Sequence, residues 1–177
     1  MGAGDYLSEL CRFYVFATLA IAALGKSVAT GPFVASTADL LGLSRRTARF
    51  VALSVIAAEA VIAILLLLGG DPARAGMAAA LLLFLAFTSA LAAALLQRRT
   101  VRCNCFGARG HTVSIHDLVR NSTLIAAAAG YLANRPPAVR PDAAEFALLL
   151  ACALILLLVF AHLREIQALV RSTAAQV

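Results

Sequence analysis

Cys103 and Cys105, separated by Asn104 and followed by Phe106-Gly107, are the residues of this chain best suited to chemistry. Two thiols one residue apart can exchange with a partner disulfide through a mixed disulfide, or hold a soft ion such as Cu(I) as thiolates. A disulfide between them closes a small ring, and ring strain makes such a bond labile rather than structural. Arg99, Arg102 and Arg109 lie nearby in sequence and favour the thiolate form. Asn104 suits a tight turn, and Gly107 accepts a positive φ. Paired exposed thiols are reactive, which ranks the chemical reading above two loop cysteines that happen to be close. His111 and His116 could add nitrogen ligands to a soft-metal clamp, although most lone histidines near an interface are solvated or bonded to backbone. Zinc fits less well, because closed zinc sites use wider cysteine pairs and four ligands.

Glu59 is the second residue to weigh. It falls about twelve residues into an apolar segment, or ~18 Å along a helix. A carboxylate at that depth is a functional candidate by default and needs a partner. Arg120, ~8 Å into a later segment, is the preferred one, because its guanidinium stays charged and can hold a carboxylate in a fork. Lys26, near the end of the first segment, is the next candidate. Either cation must close an axial offset of ~10 Å with a long side chain. A structural ion pair and a proton-handling role are both open. Asp117 and Asn121, four apart, share a helix face with room to extend a polar network toward the cysteines. Cys11 and Cys152 lie within apolar segments and are expected to be buried small hydrophobes.

The elements that must position these residues are membrane helices. The chain is 62% hydrophobic and 14% charged with a mean hydropathy of +0.91, far from the half-apolar, quarter-charged balance of soluble domains. A single all-α membrane domain over residues 1–177 is expected, an integral helical bundle of about five transmembrane helices. The spans fall at about 7–30, 47–68, 73–97, 115–133 and 142–163, each near the 20 residues that cross a hydrocarbon core. Gly31-Pro32 is expected to stop the first span and Gly69-Gly70-Asp71-Pro72 to make a tight turn after the second. Asp5 and Glu9 stand where a cleaved signal would carry positive charge, so the first segment should stay as a helix. Residues 33–46 read equally as a connecting loop or as a short interfacial helix beside the Cys loop. Ser114-Ile115-His116-Asp117 resembles a capping box at the start of the fourth span, which would hold the loop near a helix N-terminus. Gly76 with Ala80, and Ala86 with Ala90, have the spacing that lets helices approach closely.

At Cys103-Asn104-Cys105-Phe106-Gly107, Arg120-Asn121, Gly25-Lys26 and Glu59 the chain resembles the MauE family, within the broader MauE/DoxX group of redox-associated membrane proteins. Only the Cys-x-Cys-Phe-Gly string is fairly specific. The resemblance implies a place in methylamine utilisation. It also implies a role in maturing the disulfide-rich small subunit of methylamine dehydrogenase, beside a thioredoxin-like partner. The layout is also distantly similar to vitamin K epoxide reductase-like bundles, in which a thiol pair faces a quinone. Here the pair is C-x-C rather than C-x-x-C, and no second loop thiol pair is evident. Those departures weigh against a quinone and against a self-contained electron relay, and no cofactor is otherwise indicated.

The leading expectation is a multi-pass cell-membrane protein in which Cys103 and Cys105 carry thiol–disulfide exchange, supported by Glu59, Arg120, Asn121 and Lys26. Its partners would be the lipid bilayer, a thioredoxin-like redox protein and an exported client. A nucleic acid is not among them, because the net charge of +6 lies in loops between spans and suits anionic headgroups. The alternatives are a soft-metal binding or transport protein and a non-catalytic assembly factor. Charge and role disagree on sidedness. Ten basic residues belong to the Cys-loop side (Lys26, Arg45, Arg46, Arg49, Arg98, Arg99, Arg102, Arg109, Arg164 and Arg171) and four to the other (Arg12, Arg74, Arg135 and Arg140). The positive-inside rule then places the cysteines in the cytoplasm, whereas disulfide formation in exported proteins belongs outside.

Overall fold

The computed structural model describes residues 2–97, 102–103, 111–112, 115–134 and 141–161. Within them the chain is helical apart from one minimal strand pairing. The helices are α1 (Ala3–Val28), α2 (Thr30–Leu41), α3 (Arg45–Leu68), α4 (Gly70–Leu96), α5 (Ile115–Ala133) and α6 (Ala143–Ala161). β1 (Arg102–Cys103) and β2 (His111–Thr112) pair antiparallel, with Cys103 opposite His111.

Among the described residues, four helices are long and apolar enough to cross a membrane: Gly4–Val28, Arg45–Leu68, Gly70–Leu96 and Ala143–Phe160. Their outward faces carry exposed apolar side chains, such as Leu53, Val61, Ile64 and Leu68 on α3 and Leu148, Ile155 and Leu158 on α6. In water that surface would drive aggregation; in hydrocarbon it is the lipid face. α5 has 19 residues but holds Asp117, Arg120 and Asn121 in its first two turns, and it packs on α1 and α4. Counted with the four, it gives roughly the five membrane helices expected. The protein is a multi-pass helical bundle in a lipid bilayer.

α1 is the hub. It packs against α3, α5 and α6, while α4 bridges α3 and α5. The core joins Phe13, Val15 and Leu19 of α1 to Leu66 of α3, Met77 and Phe84 of α4, Leu124 of α5 and Ala153 of α6. Phe13 meets Phe146 edge to face at 4.8 Å, the geometry that aromatic quadrupoles prefer. Gly76 sits where α4 crosses α3 so closely that a Cβ there would lie 3.1 Å from Leu65 Cβ.

The connections follow local chemistry. Gly31-Pro32 does not simply stop the first span. The break falls at Ala29 (φ −111°, ψ 43°), and Gly31-Pro32 forms the first turn of α2. A proline costs nothing there, because the first amides of a helix have no intrahelical acceptor. The segment that read as loop or short helix is therefore the 12-residue helix α2, closed by Gly42 in the left-handed region. Ser44 caps α3 by accepting from Thr47 N at 3.3 Å. Asp142 and Glu145 cap α6 reciprocally, Glu145 N donating to Asp142 Oδ1 at 2.8 Å and Asp142 N to Glu145 Oε2 at 3.2 Å. Ser114, the cap expected for α5, lies outside the described residues.

Candidate functional site

The second half of α1, α2, the middle of α3 and the second half of α4 line a partly open cavity of about 240 Å³, with the start of α5 on the remaining side. Its walls are mostly apolar: Leu19 and Ala22 of α1, Phe33 and Leu40 of α2, Val55 of α3, and Phe84, Phe87 and Leu91 of α4. Four polar side chains singled out in the sequence line it together, namely Lys26, Glu59, Arg120 and Asn121.

Glu59 lies 14 residues into α3, ~21 Å from its start at 1.5 Å per residue, and is 1% exposed. Its partner is Lys26, not the expected Arg120. Lys26 Nζ donates to Glu59 Oε1 in a short buried ion pair. The correction has a geometric reason. Helical side chains lean toward their own N-terminus. On antiparallel α1 and α3, Lys26 therefore leans inward and Glu59 leans toward the Cys-loop side, which closes the axial offset. Arg120 comes from α5, whose neighbours are α1 and α4. Its Nη2 lies 4.0 Å from Asp117 Oδ1 on the same helix, so it has a local carboxylate. Lys26 Nζ also sits 5.3 Å from the Phe33 ring centre and 5.5 Å from that of Phe87. Two ring faces in a desolvated site add cation–π attraction to the pair.

The hydroxyls around the cavity are used locally. Thr18 Oγ1 donates to Tyr14 O and Thr37 Oγ1 to Phe33 O, both at 2.8 Å within their own helices. Glu59 Oε2 is buried and receives no hydrogen bond from the described residues. Among the described residues, the carboxylate thus has one oxygen committed to Lys26 and one without a donor.

The C-x-C pair is only partly in view. Cys103 stands in β1 opposite His111 in β2, and Cys105 lies outside the described residues. β1 lies against α2, the helix that supplies Phe33, Thr37 and Leu40 to the cavity wall. Cys11 and Cys152 are free and half-buried rather than buried; Cys11 packs against the core cluster.

A second buried ion pair escaped the sequence reading. Arg12 Nε donates to Glu9 Oε2 at 2.9 Å, its Nη2 makes a shorter contact to the same oxygen, and its Nη1 donates to Leu66 O at 2.6 Å. Arg12 was counted among loop charges, yet it is 5% exposed. The signal was the Glu-x-x-Arg spacing inside an apolar run, which places both on one helix face. Lys26 is likewise 2% exposed, so neither cation weighs on sidedness, and removing one from each side leaves the charge bias unchanged.

No curated protein and no solved structure matches this chain. One family model does. Its match runs over residues 4–134, from the first turn of α1 through the end of α5, and so takes in the cavity residues and both cysteines of the C-x-C pair. The chain belongs to the family of the methylamine utilisation protein MauE.

Proposed function

We propose that this membrane protein, associated through its family with methylamine utilisation, is a thiol–disulfide redox protein of the cell membrane. It serves the maturation of an exported redox enzyme, as in the small subunit of methylamine dehydrogenase. The observation that carries the reading is the place of Cys103. Its strand pairs with β2 and lies against α2, so the backbone of the C-x-C segment is tethered to the Lys26 end of the bundle. A thiol pair on a fixed support can meet a partner disulfide repeatedly in one orientation.

The exchange balances as follows. One thiolate of the pair attacks a sulfur of the partner disulfide, and the bond between the partner sulfurs breaks as the mixed disulfide forms. The second thiolate of the pair then attacks the mixed disulfide, leaving a Cys103–Cys105 disulfide and a reduced partner with both electrons. Run backward, the same two steps oxidise a client dithiol. A thioredoxin-like protein suits one direction and an exported client the other. The Lys26–Glu59 pair supports the site by fixing α1 to α3 beneath α2.

The test is a redox titration with mass-shift alkylation. The pair should interconvert at a potential more oxidising than about −250 mV, as strained small rings do. Cys105→Ser should accumulate a mixed disulfide through Cys103. Thiols fully alkylated at every potential, with no mixed disulfide trapped, would sink the reading. Copper retained through dialysis and lost in Cys103→Ser would replace it with a soft-metal clamp. Labelling Cys105 in intact cells with a membrane-impermeant reagent decides which face carries the pair: maturation of an exported enzyme requires the external one, and the charge bias opposes it.

A further inference from the structure

The cavity beside Lys26 is chemically unfinished. Most of its wall is Leu, Val, Ala and Phe side chains, which suit the apolar body of a ligand, while Lys26, Glu59, Arg120 and Asn121 gather polar groups on it. Yet Glu59 lines it, and Glu59 Oε2, on a side chain 1% exposed, receives no hydrogen bond from the described residues. Burying an acceptor unsatisfied costs roughly as much as a lost hydrogen bond, so a molecule with both an apolar body and a donor would complete the site.

The shape narrows the class. A cavity near 150 Å³ suffices for benzene, and this one is about 240 Å³, the size for a substituted single ring or a fused pair. Phe33, Phe84 and Phe87 line it, and aromatic faces suit flat ring ligands. Asn121, 6% exposed, adds an amide that can donate or accept at the same wall. Access runs through lipid. Ala86 and Leu41, both exposed on the bundle surface, also line the cavity, and Ala86 lies well inside the apolar length of α4.

We propose that this cavity binds a lipid-soluble hydroxyaromatic compound, the class to which membrane quinols belong, with its ring hydroxyl donating to Glu59 Oε2. Lys26 holds the other carboxylate oxygen and so fixes the direction in which Oε2 accepts. The site is separate from the thiol pair and stands whether or not Cys103 and Cys105 exchange disulfides.

The experiment measures thermal stability of the purified protein in detergent, read as the temperature at which half of it leaves the monodisperse peak after heating. It is run on the wild type and on Cys103→Ser/Cys105→Ser, so a failure of the redox reading leaves it intact. The probes are 2-naphthol, 2-methoxynaphthalene and decanol. 2-Naphthol should stabilise, with an apparent Kd at least about tenfold below that of the methyl ether, since only the hydroxyl can donate to a charged acceptor. Equal stabilisation by the two ring compounds, equal stabilisation by decanol, or none by any probe would overturn the proposal. Ala90→Leu puts a larger side chain on the cavity wall and should weaken the 2-naphthol effect; an unchanged effect there would place binding elsewhere and overturn it too. A prenyl-tailed naphthoquinol separates the sources. Tighter binding than 2-naphthol points to the membrane pool and weaker binding to a small free phenol, and either supports the shared chemistry.

Discussion

α1 carries a buried ion pair near each end, and the two are built differently. At one end Glu9 and Arg12 are neighbours on a single helix turn, and Arg12 also donates to Leu66 O, one of the last carbonyls of α3. That arginine therefore neutralises Glu9, satisfies an orphan helix-end carbonyl and places positive charge at the negative end of the α3 dipole. At the other end Lys26 and Glu59 come from different helices, adjoin two phenylalanine rings and a mostly apolar cavity, and leave Glu59 Oε2 without a donor among the described residues. The first pair is closed by its own chain and reads as structure. The second is complete in charge but not in hydrogen bonds. Buried polar groups in folded proteins are normally satisfied, so the open carboxylate oxygen is what the ligand proposal rests on, although Ser8 Oγ beside the first pair also lacks a partner among the described residues.

The largest expected effect falls on the closed pair. Arg12→Met leaves Glu9 buried without a counter-charge and Leu66 O without its donor. Breaking a buried pair by removing one partner costs about 3–5 kcal/mol. Thermal unfolding in detergent should show that loss, and Glu9→Gln/Arg12→Met together should restore most of it. Neither change should alter the response to 2-naphthol. A single change that leaves stability untouched, or a double change that destroys the naphthol response, would break the distinction between the two ends.

The second effect tests the open pair. Lys26→Met and Glu59→Gln should each destabilise, and a double-mutant cycle should return a coupling of roughly 0.5–3 kcal/mol, the range for groups in direct contact. The same cycle on Glu59 and Arg120 should give the smaller coupling, because Asp117 is the carboxylate nearest Arg120 on its own helix. A larger coupling to Arg120 would restore the partner that the sequence favoured and would recast Lys26 as a neighbour only.

That reversal shows where the sequence was legible. Apolar runs and their breaks disclosed the helices, since hydropathy at a period of about 20 residues is set by the bilayer itself. Depth marked Glu59 as a residue in need of a partner, and the cavity does gather Lys26, Glu59, Arg120 and Asn121. Which cation reaches Glu59 depended on helix adjacency and side-chain lean, which a one-dimensional pattern does not carry. The same holds for Arg12, which looked like a loop charge because the Leu66 carbonyl it caps lies 54 residues away. Gly31-Pro32 was legible as a break but not as a start, because a proline that ends one helix and a proline in the first turn of the next have the same local sequence. Cys103 and Cys105 were plain as chemistry from spacing alone, and only the backbone of Cys103 is placed here, opposite His111.

A third, smaller effect concerns the turn that brings α3 to α4 beside Arg12. Gly69 has φ 73° and ψ −178°, a region that residues with a Cβ essentially never occupy. Gly69→Ala should cost about 1–3 kcal/mol of backbone strain. A Cβ there would also come within 3.7 Å of Arg12 Nη1, ordinary contact distance, so the loss comes from the backbone and not from a clash. Stability should fall with the naphthol response unchanged. A loss of that response would mean that the closed end governs the cavity through α3.

Gly76→Ala should have the smallest effect, and its sign depends on two opposed terms. Alanine gains about 0.8–1.0 kcal/mol over glycine within a helix. Against that, the new Cβ would lie 3.1 Å from Leu65 Cβ and 3.3 Å from Leu66 Cδ2. The end of the Leu66 side chain can give way, but Leu65 Cβ is fixed to its backbone, so α3 and α4 must separate by a few tenths of an ångström. Overpacking of a tight contact costs roughly 1–3 kcal/mol, so the net expectation is a loss of about 1 kcal/mol in thermal unfolding. The contact adjoins the carbonyl that Arg12 caps, so pushing α3 outward should also weaken that bond, and the loss should shrink when Gly76→Ala is placed in Glu9→Gln/Arg12→Met. Full additivity of the two sets, within about 0.5 kcal/mol, would show instead that the close approach of α3 and α4 stands independently of the ion pair beside it.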